Sequence, residues 1–270
     1  MPRETYPARL LKKTCLSESA QCFHFEFALA DREAFPYIAG QFLSAVAVDK
    51  NGKTQTRAYS IASAPVENRF DICVNRVEGG FFSNYLADLA EGEIVQIHGP
   101  HGNFTLRKPL TDALFVATGT GIAPMRAFTQ ALFPDSGPNA GADLSEGRHI
   151  WCVYGTRHES ELYYREYFER IAAVHPNFHY IATLSRAPQQ WTGHRGYVQQ
   201  YVAKIVDQRA AEQPPAPAPT TAPPAEGEAS APVFDIHTYI CGLNNMVSEV
   251  RDLLTERGWN KKQVIFERYD

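Results

Sequence analysis

The stretch Ala113-Leu114-Phe115-Val116-Ala117-Thr118-Gly119-Thr120-Gly121-Ile122-Ala123-Pro124 decides the fold. ALFVAT is a short, continuous apolar run, as expected of a strand buried on both faces. IAPMRAFTQALF follows with helical character, and Pro124 suits a first helical turn. The glycines between them permit a tight turn and a close backbone approach to a diphosphate. A helix start there offers free N–H groups and the positive end of its dipole. The third glycine of the full dinucleotide fingerprint is absent, and no Gly-Lys-Ser/Thr follows. A tight strand–helix turn without a ligand is the other reading of these residues.

Downstream of this turn the same rhythm continues. HIWCVYG, FHYIATLS, HTYIC and VIFERY read as strands. ESELYYREYFERIAAV, GYVQQYVAKIVDQR and NNMVSEVRDLLTERG read as helices. Alternation of this kind predicts an α/β doubly wound parallel sheet with helices on both faces. Upstream the pattern differs. CFHFEFAL, QFLSAVAV, FDICVNRV and EIVQIH are short β-prone runs separated by turn signals, with one short helical piece, SNYLADL. These predict a small antiparallel β-barrel. The change of rhythm sets a boundary between residues 1–108 and 109–270.

The whole chain of 270 residues, 44% hydrophobic and 21% charged, has ordinary globular composition. A net charge of −4 provides no global basic field to recruit nucleic acid. The five cysteines are scattered, with no C-x-x-C and no iron–sulfur or zinc-finger spacing. Their odd number and the absence of an apolar signal core or membrane span lead to the expectation of a cytoplasmic protein. Seven of the eighteen prolines fall between Pro214 and Pro232. The segment 212–232 is therefore read as an extended insertion in the second domain, with a polyproline docking ligand as the alternative.

Several residues stand where ligands collect in such folds, at the carboxyl ends of parallel strands. Ser185-Arg186 and Arg195-Gly196-Tyr197 combine a hydroxyl and two guanidinium groups, a set able to hold a phosphate dianion, with an aromatic ring for a purine. Surface charges and a helix-start anchor are the plainer reading. Cys241-Gly242 ends another strand, where a buried small hydrophobe is equally natural. Tyr269 closes an apolar run and is either exposed or laid over something flat. In the barrel half, alternation puts Arg57 and Tyr59 on one strand face, with Ser60 opposite or at the strand's turn. Gly79-Gly80-Phe81-Phe82-Ser83 opens the short helix, with Ser83 as a cap or an anion donor.

Taken together, these segments resemble the ferredoxin–NADP⁺ reductase family, in particular its plant-type branch. RAYSIAS and ICVNR followed by GGFFSNYL resemble its flavin motifs. GPHGNF, GTGIAP, LYYREYF, LSR, RGYVQ, YICGLNNM and the terminal E-x-Y recur in family order. The resemblance implies a Greek-key FAD-binding barrel and an NADP(H)-binding sheet domain. It implies that Arg57, Gly80, Phe82 and Ser83 bind the FAD diphosphate, and that Tyr59, Ser60 and Cys73 lie at the flavin ring. Thr120 and Gly121 would cradle the NADP(H) diphosphate. Ser185, Arg186, Arg195 and Tyr197 would recognise its 2′-phosphate and adenine. Cys241, Gly242 and Glu267 would flank the nicotinamide, and Tyr269 would cover the flavin.

The implied activity is hydride transfer between NADPH and FAD, coupled to single-electron exchange with a ferredoxin or flavodoxin. Lys12, Lys13, Arg107 and Lys108 are the candidate docking patch for that carrier, or ordinary surface charges. Two alternatives are an NADH-linked reductase component of a multicomponent oxygenase, and a flavin-binding adaptor without turnover. The chain departs from the family at Val77-Glu78-Gly79, where the loop bearing an adenine-stacking aromatic is missing. It departs again at Asn75, where the family has lysine, and at Asp270, which follows the terminal aromatic.

Overall fold

A computed structural model describes residues 4–212 and 235–269. The proline-rich segment, apart from Glu212, and Asp270 lie outside the described residues. The N-terminal part contains β1 (Tyr6–Ser17), β2 (Cys22–Leu29), β3 (Phe42–Val48), β4 (Thr54–Ser60), β5 (Arg69–Asn75), helix α1 (Phe81–Asp88) and β6 (Ile94–His101). They form an antiparallel sheet in the order β4-β3-β6-β1-β2-β5. A bridge from Ile61 to Ile72 brings the two edges together, so the sheet curls into a barrel. Its interior is filled by Leu10, Phe25, Phe27, Leu43, Phe70 and Ile72.

β1 has no counterpart in the sequence reading, although it is a central strand. Pro7 and the charges at Arg9, Lys12 and Lys13 conceal its alternation. Bulges between Leu10 and Lys12 and between Cys15 and Ser17 also shift its register. Buried Ala8 and Leu10 still face the core. Lys13 reaches across to α1, where its Nζ donates to Ala87 O at 2.7 Å and Leu89 O at 2.8 Å. A cation satisfying the last carbonyls of a helix is favourable in both hydrogen bonding and dipole.

The C-terminal part contains β7 (Asp112–Thr118), α2 (Ile122–Leu132), β8 (Ile150–Thr156), α3 (Arg165–Val174), β9 (Phe178–Leu184), β10 (His194–Arg195), α4 (Val198–Glu212), β11 (Ile236–Leu243), α5 (Asn244–Glu256) and β12 (Val264–Tyr269). The sheet is parallel, in the order β10-β9-β8-β7-β11-β12. Alternate residues serve opposite faces. Phe115, Cys152, Tyr154 and Tyr239 pack with Phe128 of α2 and Phe168 of α3. Leu114, Val116, Val153 and Ile240 pack with Val202 of α4 and Val250 of α5. This is the doubly wound sheet that the alternating pattern predicts. Cys22, Ala62, Cys73 and Phe104 of the barrel half join the first of these clusters, so the two halves share apolar core.

The helix expected over residues 159–174 begins later than predicted. Glu159–Glu161 forms a 3₁₀ turn, Tyr164 adopts φ +58°, and α3 starts at Arg165. The break turns Tyr163 and Tyr164 toward the barrel, where the Tyr164 hydroxyl lies 3.0 Å from His24 Nδ1. Contact between the halves overrides local helical pattern here.

Candidate functional site

A cavity of about 770 Å³ opens at the carboxyl ends of the parallel strands. Thr118, Gly119 and Thr120 line it after β7, Thr156 and Arg157 after β8, Ser185 and Arg186 after β9, and Tyr197 and Gln199 at the start of α4. Asn75 of the barrel and Tyr269 of β12 also line it. The position follows from topology: strand order reverses at β7, and crevices form where the connections diverge.

The glycines of the first turn have a packing reason. A Cβ on Gly121 would lie 2.1 Å from Cys241 O, and one on Gly242, at φ +150°, would lie 2.3 Å from Thr118 Oγ1. Their absent side chains let the β7–α2 turn sit directly on the end of β11. Cys241 is fully buried beneath that turn. Burial pushes its thiol well above the usual range, so it stays protonated.

Arg195 behaves differently from the phosphate-binding expectation. Its guanidinium donates to the carbonyls of Ala187, Pro188, Gln189 and Trp191, at 2.7–3.1 Å. Four carbonyls occupy a group with five N–H donors, so Arg195 clamps the 187–191 loop and is absent from the cavity lining. Arg157 takes the place beside Arg186, whose backbone N–H donates to Arg157 O at 3.0 Å. Sequence reasoning missed Arg157. Its signal was its position just past a parallel strand, where the crevice rule applies. Tyr197 is 66% exposed, a ring available at the cavity rim.

On the barrel side, Arg57 and Tyr59 share a face of β4, opposite Ala45 and Leu43 of β3. Burial pushes the Tyr59 phenol up to about 12, opposed by the charge of Arg57. Gly80 is the N-cap of α1, and no side chain caps it. Ser83 is therefore not the cap. Its Oγ accepts from Val77 N at 3.0 Å and pins the 77–80 turn instead. Phe82 is buried in the barrel core, and Cys73 Sγ lies 3.6 Å from Cys22 Sγ, both thiols free.

Ser60, Glu267 and Tyr269 meet between the two sheets. The Tyr269 hydroxyl lies 2.7 Å from Ser60 Oγ. Glu267 pairs with Cys241 across β11–β12. Burial raises its carboxyl to about 7, and a hydrogen bond with Ser60 opposes the shift. A carboxyl poised near neutrality beside two hydroxyls is suited to holding and passing a proton.

The expected docking patch is dispersed. Lys13 serves α1, Lys12 lies 3.8 Å from Glu26, and Lys108 lies 3.5 Å from Glu146. Arg107 instead lines a second cavity of about 350 Å³ with Lys261, Lys262, Phe266 and Glu267. The Arg251 guanidinium sits 4.0 Å above the Phe266 ring.

Residues 7–106 match the model of the oxidoreductase FAD-binding domain, and residues 115–252 that of the oxidoreductase NAD-binding domain. The chain is 40% identical to ferredoxin–NADP reductase B of Sorangium cellulosum, over 99% of this chain and 98% of that protein. The chain belongs to the ferredoxin–NADP reductase family. It is a flavoprotein oxidoreductase with FAD and a pyridine dinucleotide as its cofactors. It is also 35% identical to the phenol hydroxylase P5 protein of Acinetobacter pittii, over 63% of this chain, and spans about half of that protein (46%). The fold matches that of the ferredoxin–NADP⁺ reductase of Plasmodium falciparum, with a TM-score of 0.76 at 21% identity, over 98% of this chain and 97% of that one. Among the described residues, no helix is long and apolar enough to cross a membrane, and no cluster of side chains is suited to a metal ion.

The cavity suits the dinucleotide. Two of its lining side chains, Asn75 and Gln199, carry buried oxygens with no protein partner, Oδ1 and Oε1. Such orphaned acceptors are costly unless a ligand donor or water meets them.

Proposed function

We propose that the protein moves hydride between NADPH and FAD, and single electrons between FAD and a ferredoxin- or flavodoxin-type carrier, as a cytoplasmic enzyme. One observation carries this reading: Tyr269 both lines the dinucleotide cavity and touches Ser60 of the barrel. The two nucleotide sites therefore adjoin at that pair. The division of labour follows residues 1–108 for FAD and 109–270 for NADP(H).

In this reading Arg57 and the uncapped start of α1 at Gly80 hold the FAD diphosphate, with Ser83 fixing the turn and Phe82 anchoring the helix. Tyr59 and Cys73 flank the flavin ring. The flavin, when bound, accepts hydride and releases electrons singly. Thr120 receives the NADP(H) diphosphate at the start of the β7–α2 turn, while Gly121 and Gly242 allow the close packing beneath it. Arg157 and Arg186 with Ser185 receive the 2′-phosphate, and Tyr197 stacks on adenine. Tyr269 would lie over the bound flavin, in the place the nicotinamide ring would also need. Cys241 forms the floor of that position. Glu267 and Ser60 hold the proton. Productive transfer requires the reacting atoms at roughly 3–3.5 Å, so the protein's main task is placement.

Similarity to an oxygenase reductase component supports an NADH-linked second reading. Two arginines and a hydroxyl on one wall favour the phosphorylated dinucleotide. An acidic carrier fits the basic rim of Arg107, Lys261 and Lys262 beside Glu267. Anaerobic titration of the FAD-loaded protein with NADPH tests the reading. Bleaching of flavin absorbance is expected, and its absence sinks hydride transfer.

A further inference from the structure

The two nucleotide sites are joined by a buried polar fastener. Arg126 lies one turn into α2, the helix that the glycine turn opens. Its Nη1 donates to Asp71 Oδ2 of β5 at 2.9 Å and to Ala62 O at 2.7 Å. Asp71 in turn accepts at its backbone O from Ala62 N, at 2.8 Å. The carboxylate and the guanidinium expose only 17% and 14% of their side chains. Tyr164 and Tyr167 cover the cation, with its Cζ 5.0 and 5.5 Å from their ring centroids. His24 faces Asp71 at 3.6 Å and holds the Tyr164 hydroxyl at 3.0 Å. One turn further along α2, Gln130 Oε1 accepts from Ala64 N at 3.0 Å.

The placement of these contacts is specific. Ala62 lies two residues beyond Ser60, and Asp71 two residues before Cys73. Arg126 lies five residues beyond Gly121. The fastener therefore ties the barrel strands at the flavin side to the helix that carries the dinucleotide turn. Its stability contribution does not account for it. A buried ion pair loses nearly as much in desolvation as it gains in attraction, and apolar replacements are often tolerated. What such a pair does provide is a single register, because a guanidinium bonded to a carboxylate and a carbonyl fits one geometry.

We propose that Arg126, through Asp71 and Ala62, is a positioning residue that fixes the spacing between nicotinamide and flavin. This rests on the reading of the chain as a hydride-transferring reductase. Arg126 touches neither reacting ring in this account; it acts through the two strand segments it holds. A misplacement of about an ångström lowers hydride transfer about 100-fold while leaving each nucleotide's own contacts intact.

The test uses the FAD-loaded protein with Arg126→Met, Arg126→Lys and Asp71→Asn. Limiting flavin reduction is followed by stopped flow at saturating NADPH, alongside NADP⁺ affinity, flavin content and amide hydrogen exchange of residues 60–72. Arg126→Met is expected to lower the limiting rate at least tenfold, with NADP⁺ affinity and flavin content within twofold of the parent. Exchange across residues 60–72 should rise before any nucleotide is added. Arg126→Lys should recover part of the rate, and Asp71→Asn should add little to Arg126→Met. An unchanged limiting rate in Arg126→Met overturns the proposal. So does a parallel fall of rate, affinity and flavin content, which marks a purely structural role. If the parent protein shows no reduction by NADPH, the hydride-transfer reading is what fails. Hydrogen exchange then still decides the coupling: unchanged exchange in Arg126→Met rejects it, and raised exchange upholds it.

Discussion

The hydroxyl of Tyr269, at the end of the last parallel strand, lies 2.7 Å from Ser60 Oγ, at the end of a barrel strand. They are 209 positions apart in sequence, a separation that takes in the strands of the parallel sheet up to its last residue. Under the proposed function, the Tyr269 ring would have to leave that position for a nicotinamide to reach the flavin face.

Removing the ring therefore removes a competitor. Tyr269→Ser should tighten NADP⁺ binding about tenfold, since an aromatic stacking pair is worth roughly 0.5–1.5 kcal/mol beyond its area. Discrimination against NADH should shrink at the same time. Difference spectroscopy of the flavin on NADP⁺ titration measures both. Unchanged affinity and an unchanged spectrum count against the gate.

The arginines divide by what holds them. Arg157→Ala and Arg186→Ala should each raise KM for NADPH about tenfold or more, a loss of ~1.5–3 kcal/mol for a charge-assisted hydrogen bond, with little effect on NADH. Arg195→Ala should behave otherwise. It frees four carbonyls of the 187–191 loop, so it should lower Tm and weaken both nucleotides alike. A selective NADPH defect in Arg195→Ala would restore it to the phosphate site.

Glu267 links stability to pH. Its folded pKa is raised to about 7 from an ordinary value of 4.5, so the folded state holds the proton more tightly. Its contribution is fully present below about pH 4.5 and is lost as pH rises through 7. The difference in unfolding free energy between the parent and Glu267→Gln should change across that window and level off above it. Denaturant unfolding of both proteins at several pH values measures it, and a flat difference contradicts the raised pKa.

Gly121→Ala tests the packing of the first turn. Its Cβ would meet the Cys241 carbonyl, a backbone atom that cannot rotate away. A loss of about 3 kcal/mol is expected, at the upper end for overpacking, since the β11 end must shift. Gly119→Ala meets no atom within 4 Å and should lose less, through its φ of +54° alone. Equal losses would show that packing is not the reason.

Much of the architecture was legible because its signals are local. Alternating apolar runs and helices announce the parallel sheet, and a run such as CFHFEFAL coincides with β2. β1 was hidden because bulges break its period and charges dominate its solvent face. At the site, Thr120, Ser185, Arg186 and Tyr197 come together at one cavity, as strand-end positions should. The carbonyl partners of Arg195 and Lys13 are not legible in the sequence, which shows a charge but not what surrounds it. Arg157 was overlooked for the converse reason: no motif marks it, only a place in the topology. The Arg126–Asp71 pair, 55 residues apart, is visible only after folding.

The central claim is that this cavity delivers hydride from a 2′-phosphorylated dinucleotide to the flavin at Tyr269. Anaerobic stopped-flow reduction of the FAD-loaded protein by NADPH and by NADH, repeated with Arg157→Ala/Arg186→Ala, tests it most directly. The account predicts rapid bleaching with a preference for NADPH that the double substitution abolishes. Bleaching by neither nucleotide, or a preference that survives loss of both arginines, would contradict it.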